Sequence, residues 1–349
     1  MNFYGRKHPI FSTLVEQKIK KITYTPIRHH PIYIEKNELE NNSKYFIHAD
    51  LPIIDPDANI EYIFNFEDQC TLYHSINNGN TFNIDFKNHP ETINIKNALE
   101  DSRCKKIICH IKKMAEALPN LTNSDIIAKK TVYKKIGINT KNNLLSVDRS
   151  NFTILFTNSY HDDPNNFFLR GGHFLLEAVK LLNQKYDNIK LIIRSQIPAQ
   201  IPGDLLSNYN IKVYNMKMED EDIDFLYRQS DVVVLPSIRV HSHSLCEALS
   251  YGLPVITTNG WGIEEFIQHR YNGYIINGFE KLSWHDNNVG CIEKYINLYD
   301  HQTVTDTINQ LYYYLEHLLL NKNDLLLLKT NSINSAKTYT LDNWNEWTI

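Results

Sequence analysis

Beyond about residue 150 the chain alternates apolar runs that have no polar face with segments whose apolar residues recur at helical spacing. Residues 151–157 (NFTILFT), 189–194 (IKLIIR), 211–214 (IKVY), 231–235 (DVVVL) and 254–258 (PVITT) predict strands. Between them, 174–182 places Phe174, Leu175, Ala178, Leu181 and Leu182 on one helical face; 220–229 predicts a second helix, and 245–251 a third that closes at Gly252. Strands without a polar side must be covered on both faces. The pattern therefore predicts a parallel, doubly wound α/β sheet, whose ligands bind outside the carboxyl ends of the strands.

The first half is harder to read. Short β-branched and aromatic runs at 44–48, 62–66 and 82–86 predict strands separated by polar turns such as Asn77-Asn78-Gly79-Asn80. The run 105–109 (KKIIC) predicts a strand and 110–118 a helix that ends at Pro119. Polar, turn-prone residues at 139–150 mark a domain boundary, and a chain of 349 residues is long enough for two domains. The expected division is 1–148, 149–325 and a helical tail at 326–349. Near the C-terminus, 308–320 is the clearest helix, and 324–328 (DLLLL) predicts a buried helical turn.

Composition narrows the function classes. A net charge of -4 removes the global basicity of a protein that coats nucleic acid, so any anion site has to be local. Five cysteines with no C-x-x-C pair argue against a disulfide framework or a structural zinc site. With charges throughout the first 21 residues and no apolar run of membrane-spanning length, the expected location is cytoplasmic, peripheral to a membrane at most. Lysines at 105–113 and 129–135 predict either a solvated face or a weak contact with an acidic acceptor or membrane surface.

Two constellations could carry chemistry. In the first, a strand ends at Pro236-Ser237 and a helix is expected to begin near Ser244, which sets His241, Ser242, His243, Ser244 and Leu245 at a helix N-terminus suited to phosphate. Glu247 then falls in the expected first turn, either to accept hydrogen bonds from a ribose diol or to complement the helix dipole. In the second, Phe167-Phe168-Leu169-Arg170-Gly171-Gly172-His173 lies between a strand and its helix. Gly171 and Gly172 permit close backbone approach, and Arg170 offers a forked donor for phosphate, a solvated turn being the alternative. Arg194 is a second cation at a strand end, or a plain surface residue. His241 and His243 lack the further ligands that zinc needs, so a loop role is preferred and no metal is expected. His110, where a strand meets a helix, serves either the core or a cleft.

Several of these segments, taken in order, resemble the nucleotide-binding domain of the group 1 retaining glycosyltransferases of GT-B fold. The resemblance covers 151–278: FTILFTNSYHDDPNNFFLRGGHFLLEA, SDVVVLPS, CEALSYGLPVITT and WGIEEFI followed by YNGYII. It implies two Rossmann-like domains with parallel sheets facing across a cleft, a C-terminal helix that returns to the first, and an acceptor site in the first. By position Glu247 is similar to the glutamate that binds the donor ribose, and Arg170 to the cation that neutralises the diphosphate. The loop 241–245 resembles the stretch whose amides reach sugar and phosphate, and Gly262 and Glu265 match the later Gly and Glu. Where the family carries the first glutamate of its pair, with seven residues between the two, this chain has Arg239. Arg170, Arg239 and His110 are thus the catalytic candidates.

The resemblance implies transfer of a sugar from a nucleotide-diphosphate sugar to a glycan, lipid-linked or protein-glycan hydroxyl, with retention and without a cofactor beyond the co-substrate. Nucleic acid is not an expected partner. Two rivals remain at this level: a non-catalytic sugar-nucleotide binder that has lost the first glutamate, and a sugar-nucleotide epimerase.

Overall fold

The computed structural model describes residues 1–5, 22–24, 32–48, 51–67, 72, 86–139, 141, 150–158, 164–207, 210–238, 240–260, 262–278 and 301–343. Among these, 1–137 and 340–343 form one compact unit, and 138–278 with 301–339 form a second. The change of unit falls before the polar stretch at 139–150. Ile138 already donates its backbone N–H to the carbonyl of Tyr339, 2.8 Å away, and so is tied to the second unit.

In the first unit, eight strands are described: β1 (Asn2–Gly5), β2 (Ile22–Tyr24), β3 (Ile32–Ile34), β4 (Ser43–His48), β5 (Pro52–Ile54), β6 (Ile60–Phe66), β7 (Cys104–Cys109) and β8 (Thr131–Tyr133). Six of them make a parallel sheet in the order β2-β1-β4-β6-β7-β8, while β3 and β5 pair separately. Helices α1 (Pro90–Glu100), α2 (Lys112–Thr122) and α3 (Asp125–Lys130) accompany it. The expected strands at 44–48, 62–66 and 105–109 lie within β4, β6 and β7. Residues 81–85 and the turn at 77–80 lie outside the described residues.

Pro119 does not end its helix. It sits inside α2, which runs to Thr122 and stops where Asn123 takes a left-handed φ of 48°. One lost backbone bond is outweighed here by an apolar face, Met114, Ala117, Leu118 and Leu121, that is buried along the whole segment. Nor is Lys130 a solvated lysine: its Nζ donates to the carbonyls of Leu99, Glu100 and Asp101 at 2.7–3.0 Å and closes the C-terminus of α1.

The second unit contains β9 (Phe152–Thr157), β10 (Ile189–Arg194), β11 (Ile211–Tyr214), β12 (Val232–Leu235), β13 (Val255–Thr258) and β14 (Gly273–Ile276), all parallel, in the order β11-β10-β9-β12-β13-β14. The chain builds outward from β9 in one direction and then, from β12, in the other. In doubly wound sheets such a reversal, here between β9 and β12, marks the edge where ligands bind. Around the sheet are α4 (Asn166–Leu169), α5 (Gly172–Asn183), α6 (Gly203–Leu206), α7 (Asp220–Arg228), α8 (Ser242–Ser250), α9 (His301–Leu320) and α10 (Lys322–Ala336).

Burial of β9, β12 and β13 is complete along their length, which is why they are legible as unbroken apolar runs. The leucine run 325–328 divides: Leu325 and Leu328 are buried while Leu326 and Leu327 are exposed, as helical spacing requires. Helix α10 packs against α8 within the second unit. The tail expected from 326 therefore splits: among its described residues, 326–339 belong to the second unit and 340–343 to the first.

A buried ion pair fixes α10 to the sheet. Lys329 Nζ lies 3.0 Å from Asp231 Oδ1 with both side chains 4% exposed, and Asp231 Oδ2 also accepts the backbone N–H of Thr153 at 2.9 Å. Removing one partner leaves an uncompensated buried charge. Lys329→Ala is expected to lower unfolding stability by about 3–5 kcal/mol in urea titrations, and the double change Asp231→Asn with Lys329→Met by clearly less.

Candidate functional site

Two loops far apart in sequence meet at the carboxyl edge of the second sheet. Residue 171 adopts φ 73°, and a Cβ there would come within 2.3 Å of the Pro236 carbonyl oxygen, so only glycine permits this approach. Ile238 N and Ser237 Oγ each donate to the carbonyl of Leu169 at 3.4 Å. Gly172 makes a second tight approach, because a Cβ on it would meet the Phe167 ring at 2.3 Å. A third loop closes in beside them: Thr258 Oγ1 donates to the Ser237 carbonyl, and Gly260 lies against Ile238.

The cations converge at the ends of β9 and β10. Arg170 Nε donates to Asn158 Oδ1 at 3.3 Å, and Asn158 Nδ2 donates to Ser195 Oγ at 3.2 Å. Arg194 Nη1 donates to Thr157 Oγ1 at 3.3 Å and to the Asn158 carbonyl at 3.2 Å. Asn158 thus joins both arginines. The Arg194 Nε is buried with no hydrogen-bond partner among the described residues, a donor that an anion would satisfy. Arg194 is therefore no plain surface residue. Asn158 and Ser195 were absent from the candidates read off the sequence; their signal is a polar residue directly after a strand with no polar face.

Helix α8 begins at Ser242, two residues earlier than its sequence suggests. Leu245 is the first residue to donate within the helix, to the His241 carbonyl at 3.0 Å, so the amides of Ser242, His243 and Ser244 face outward from the helix end. His241 precedes the helix with no side-chain cap, and its Nε2 is buried without a partner among the described residues. The earlier start moves Glu247 into the second turn. There Glu247 lies beyond the first turn, where the helix dipole acts most strongly.

Glu247 is held among polar groups. Burial raises its carboxyl above the ordinary range, while the nearby Tyr227 hydroxyl and the charges of Lys141 and Arg194 pull the other way. His243 Nε2 stands 3.8 Å away. His173 is pushed down to about 4 by burial and so is neutral beside the Phe168 and Phe174 rings.

The remaining candidates are dispersed. Gly262 has φ 83° and opens a short 3-10 turn, Ile263–Glu265. The Glu265 carbonyl accepts the Tyr339 hydroxyl at 3.2 Å. His110, 2% exposed, belongs to the first unit, just past β7. Arg239 and Trp261 lie outside the described residues. Among the described residues no group of three or more His, Cys, Asp or Glu could hold a metal, and no helix is long and apolar enough to cross a membrane.

Residues 168–286 match the family model "Glycosyl transferases group 1". Spore coat protein SA of Bacillus subtilis (strain 168) is 31% identical over 131 residues, covering 32% of this chain and 33% of that protein. The D-inositol 3-phosphate glycosyltransferase of Pseudarthrobacter chlorophenolicus is 29% identical over 165 residues, covering 40% and 39%. The chain thus spans between a third and two fifths of the curated relatives it matches. Among solved structures, HepE of Anabaena in complex with UDP and glucose superposes with a TM-score of 0.60 at 11% identity, over 99% of this chain and 98% of that one. The fold is accordingly the α/β GT-B type.

Gly171→Ala is expected to lower the midpoint of thermal unfolding by several degrees, because both the positive φ and the Pro236 carbonyl oppose a side chain. Glu247 gives an opposite expectation. Its folded carboxyl titrates above its unfolded value, so its contribution to stability falls as pH rises through the folded value. Glu247→Gln should therefore be no more stable than the parent near pH 4 and more stable near pH 8, as read by thermal unfolding at both.

Proposed function

We propose that this chain, whose residues 168–286 belong to the group 1 glycosyl transferases, moves a sugar from a nucleoside diphosphate sugar to an acceptor hydroxyl. The observation that carries the reading is the meeting of the Arg170 loop with the segment leading into α8, at the sheet edge where the strand order reverses. Arg170 and Arg194 would bind the diphosphate oxygens together with the outward amides of Ser242 to Ser244. The Glu247 carboxylate would accept the ribose hydroxyls. HepE holds UDP and glucose, which makes UDP the first nucleotide to try here.

In the proposed reaction the bond between the sugar C1 and the β-phosphate oxygen breaks, and its electron pair stays with the phosphate. A bond forms from the acceptor oxygen to C1, and the acceptor proton passes to a departing phosphate oxygen. Negative charge grows on the diphosphate as this happens, so fixed arginines and amides stabilise the transition state more than the ground state. A same-face attack of this kind retains the anomeric configuration, and the protein's own cations supply the countercharge. Glycan or lipid-linked hydroxyls are the proposed acceptors.

A second reading is favoured by one observation. Arg239 stands where the resemblance places the first glutamate, the residue nearest the donor sugar, and such a chain could bind a nucleotide sugar without turning it over.

Thermal-shift titration with UDP, GDP, ADP and CDP, followed by assay of free nucleoside diphosphate release from the matching sugar, separates the two. Release that depends on an added acceptor supports transfer, and stabilisation without release supports the binder. Glu247→Ala is expected to weaken nucleotide binding by about tenfold or more, and Arg170→Ala to lower kcat more than it raises KM. Unchanged affinity in the first variant, by calorimetry, would remove the donor site from this edge.

A further inference from the structure

Asn158, the residue that follows β9, is 6% exposed and bonds through all four of its polar groups. Its backbone serves one arginine: the N–H donates to the Arg194 carbonyl at 2.8 Å, and the carbonyl accepts Arg194 Nη1 at 3.2 Å. Its side chain serves the other, with Oδ1 accepting Arg170 Nε at 3.3 Å. The amide nitrogen donates to Ser195 Oγ at 3.2 Å, and Ser195 Oγ gives its own proton to the Gln196 carbonyl at 2.9 Å. A hydroxyl whose proton is committed in this way can only accept from Asn158, so the amide is fixed with its oxygen toward Arg170.

Both arginines reach this residue from fixed backbone. The parallel register sets Arg194 beside Thr157, and Arg194 Nη1 also donates to Thr157 Oγ1 at 3.3 Å. Arg170 caps α4, with its N–H on the Asn166 carbonyl at 3.1 Å, and the next residue is held close to Pro236 because 171 has no side chain. The acceptors that Thr157 and Asn158 present are neutral: a hydroxyl, a carbonyl and an amide oxygen. A neutral acceptor orients a guanidinium and leaves its charge in place, whereas a carboxylate at the same point would orient it and cancel that charge.

We propose that Asn158 is a positioning residue that holds the Arg170 guanidinium beside Arg194, and that this pairing determines selectivity for a nucleoside diphosphate over the monophosphate. The inference rests on the donor reading given above. A second phosphate brings further charge and acceptor oxygens, and a pair of cations held together can meet both phosphates at once. With Arg170 released, the added phosphate gains less and the discrimination shrinks. The backbone of residue 158 holds Arg194 and its side chain holds Arg170. A side-chain substitution at 158 therefore unlinks the pair without removing either cation.

The test measures dissociation constants by calorimetry, in the full chain, for the best-binding nucleoside diphosphate of the thermal-shift series and for the monophosphate of the same nucleoside. The expected parent preference for the diphosphate is about tenfold or more, falling at least about threefold in Asn158→Ala. Asn158→Asp keeps the shape and sets a negative charge beside Arg170, so its preference should fall further, to near parity. A merely structural role would lower the thermal midpoint and weaken both nucleotides by the same factor, leaving the ratio unmoved. The double change Asp231→Asn with Lys329→Met, at the amino edge of the same sheet, is the control for lost stability and should keep the parent ratio. Should neither Asn158 variant accumulate as folded protein, the ratio is read in Arg170→Lys, which keeps the charge and lacks the Nε that Asn158 accepts; a fall of at least about threefold is expected there too. A parent-like ratio in a folded variant overturns the positioning role, as does a parent that binds both nucleotides equally, provided that Glu247→Ala has weakened binding. If Glu247→Ala leaves binding unchanged, or none of the four diphosphates binds, the donor reading itself falls and takes this inference with it.

Discussion

Absence of a side chain at residue 171 is the constraint on which the donor-side architecture depends. With a left-handed backbone and the Pro236 carbonyl directly above it, Gly171 lets the loop after β9 lie against the end of β12. The Leu169 carbonyl then receives the Ile238 amide and the Ser237 hydroxyl, so the two loops share hydrogen bonds as well as surface. Arg170, one residue earlier, is aimed along the sheet edge toward Asn158. Any side chain at 171 would push the loops apart and carry Arg170 away from Arg194.

Electrostatic asymmetry around the stacked rings of Tyr227 and Tyr251 separates structure from function. Asp224 has two close cations, Lys141 and Arg228, while Glu247 has His243 Nε2 at 3.8 Å. A carboxylate with its charge satisfied internally anchors helices. In Glu247, by contrast, burial holds the carboxyl above its ordinary range. The same contrast separates the ion pair of Lys329 and Asp231, which is fully internal, from Arg194, whose Nε has no partner among the described residues. Buried groups that satisfy each other hold the sheet to its covering helices, while Arg194 and His241, each with a buried nitrogen lacking a partner among the described residues, stand at its carboxyl edge.

Unbroken apolar runs made the second sheet readable, because strands covered on both faces lose the alternation that would otherwise mark them. The glycine pair beside Arg170 and the glutamate of α8 were readable because each lies at or near the start of a helix that follows a strand. The first unit was read less well. Strands such as β1, β2, β3, β5 and β8 are three or four residues long and owe their existence to partners elsewhere in the chain, so local pattern carries little of their signal. Pro119 misled for the same reason: packing of α2 overrode the local breaker.

By itself, then, the sequence determined the doubly wound α/β class, the strands β9 to β13 and the longer helices of the second unit, and the residue types at the carboxyl edge of its sheet, all of which follow from hydrophobic periodicity and local turn chemistry. Only the tertiary structure decided that Asn158 joins Arg170 to Arg194, that α8 starts early enough to put Glu247 in its second turn, and that the rings of Tyr227 and Tyr251 stack. Those contacts join residues 12 to 36 positions apart. Their geometry is set by strand order and helix packing, which no local window of the chain contains.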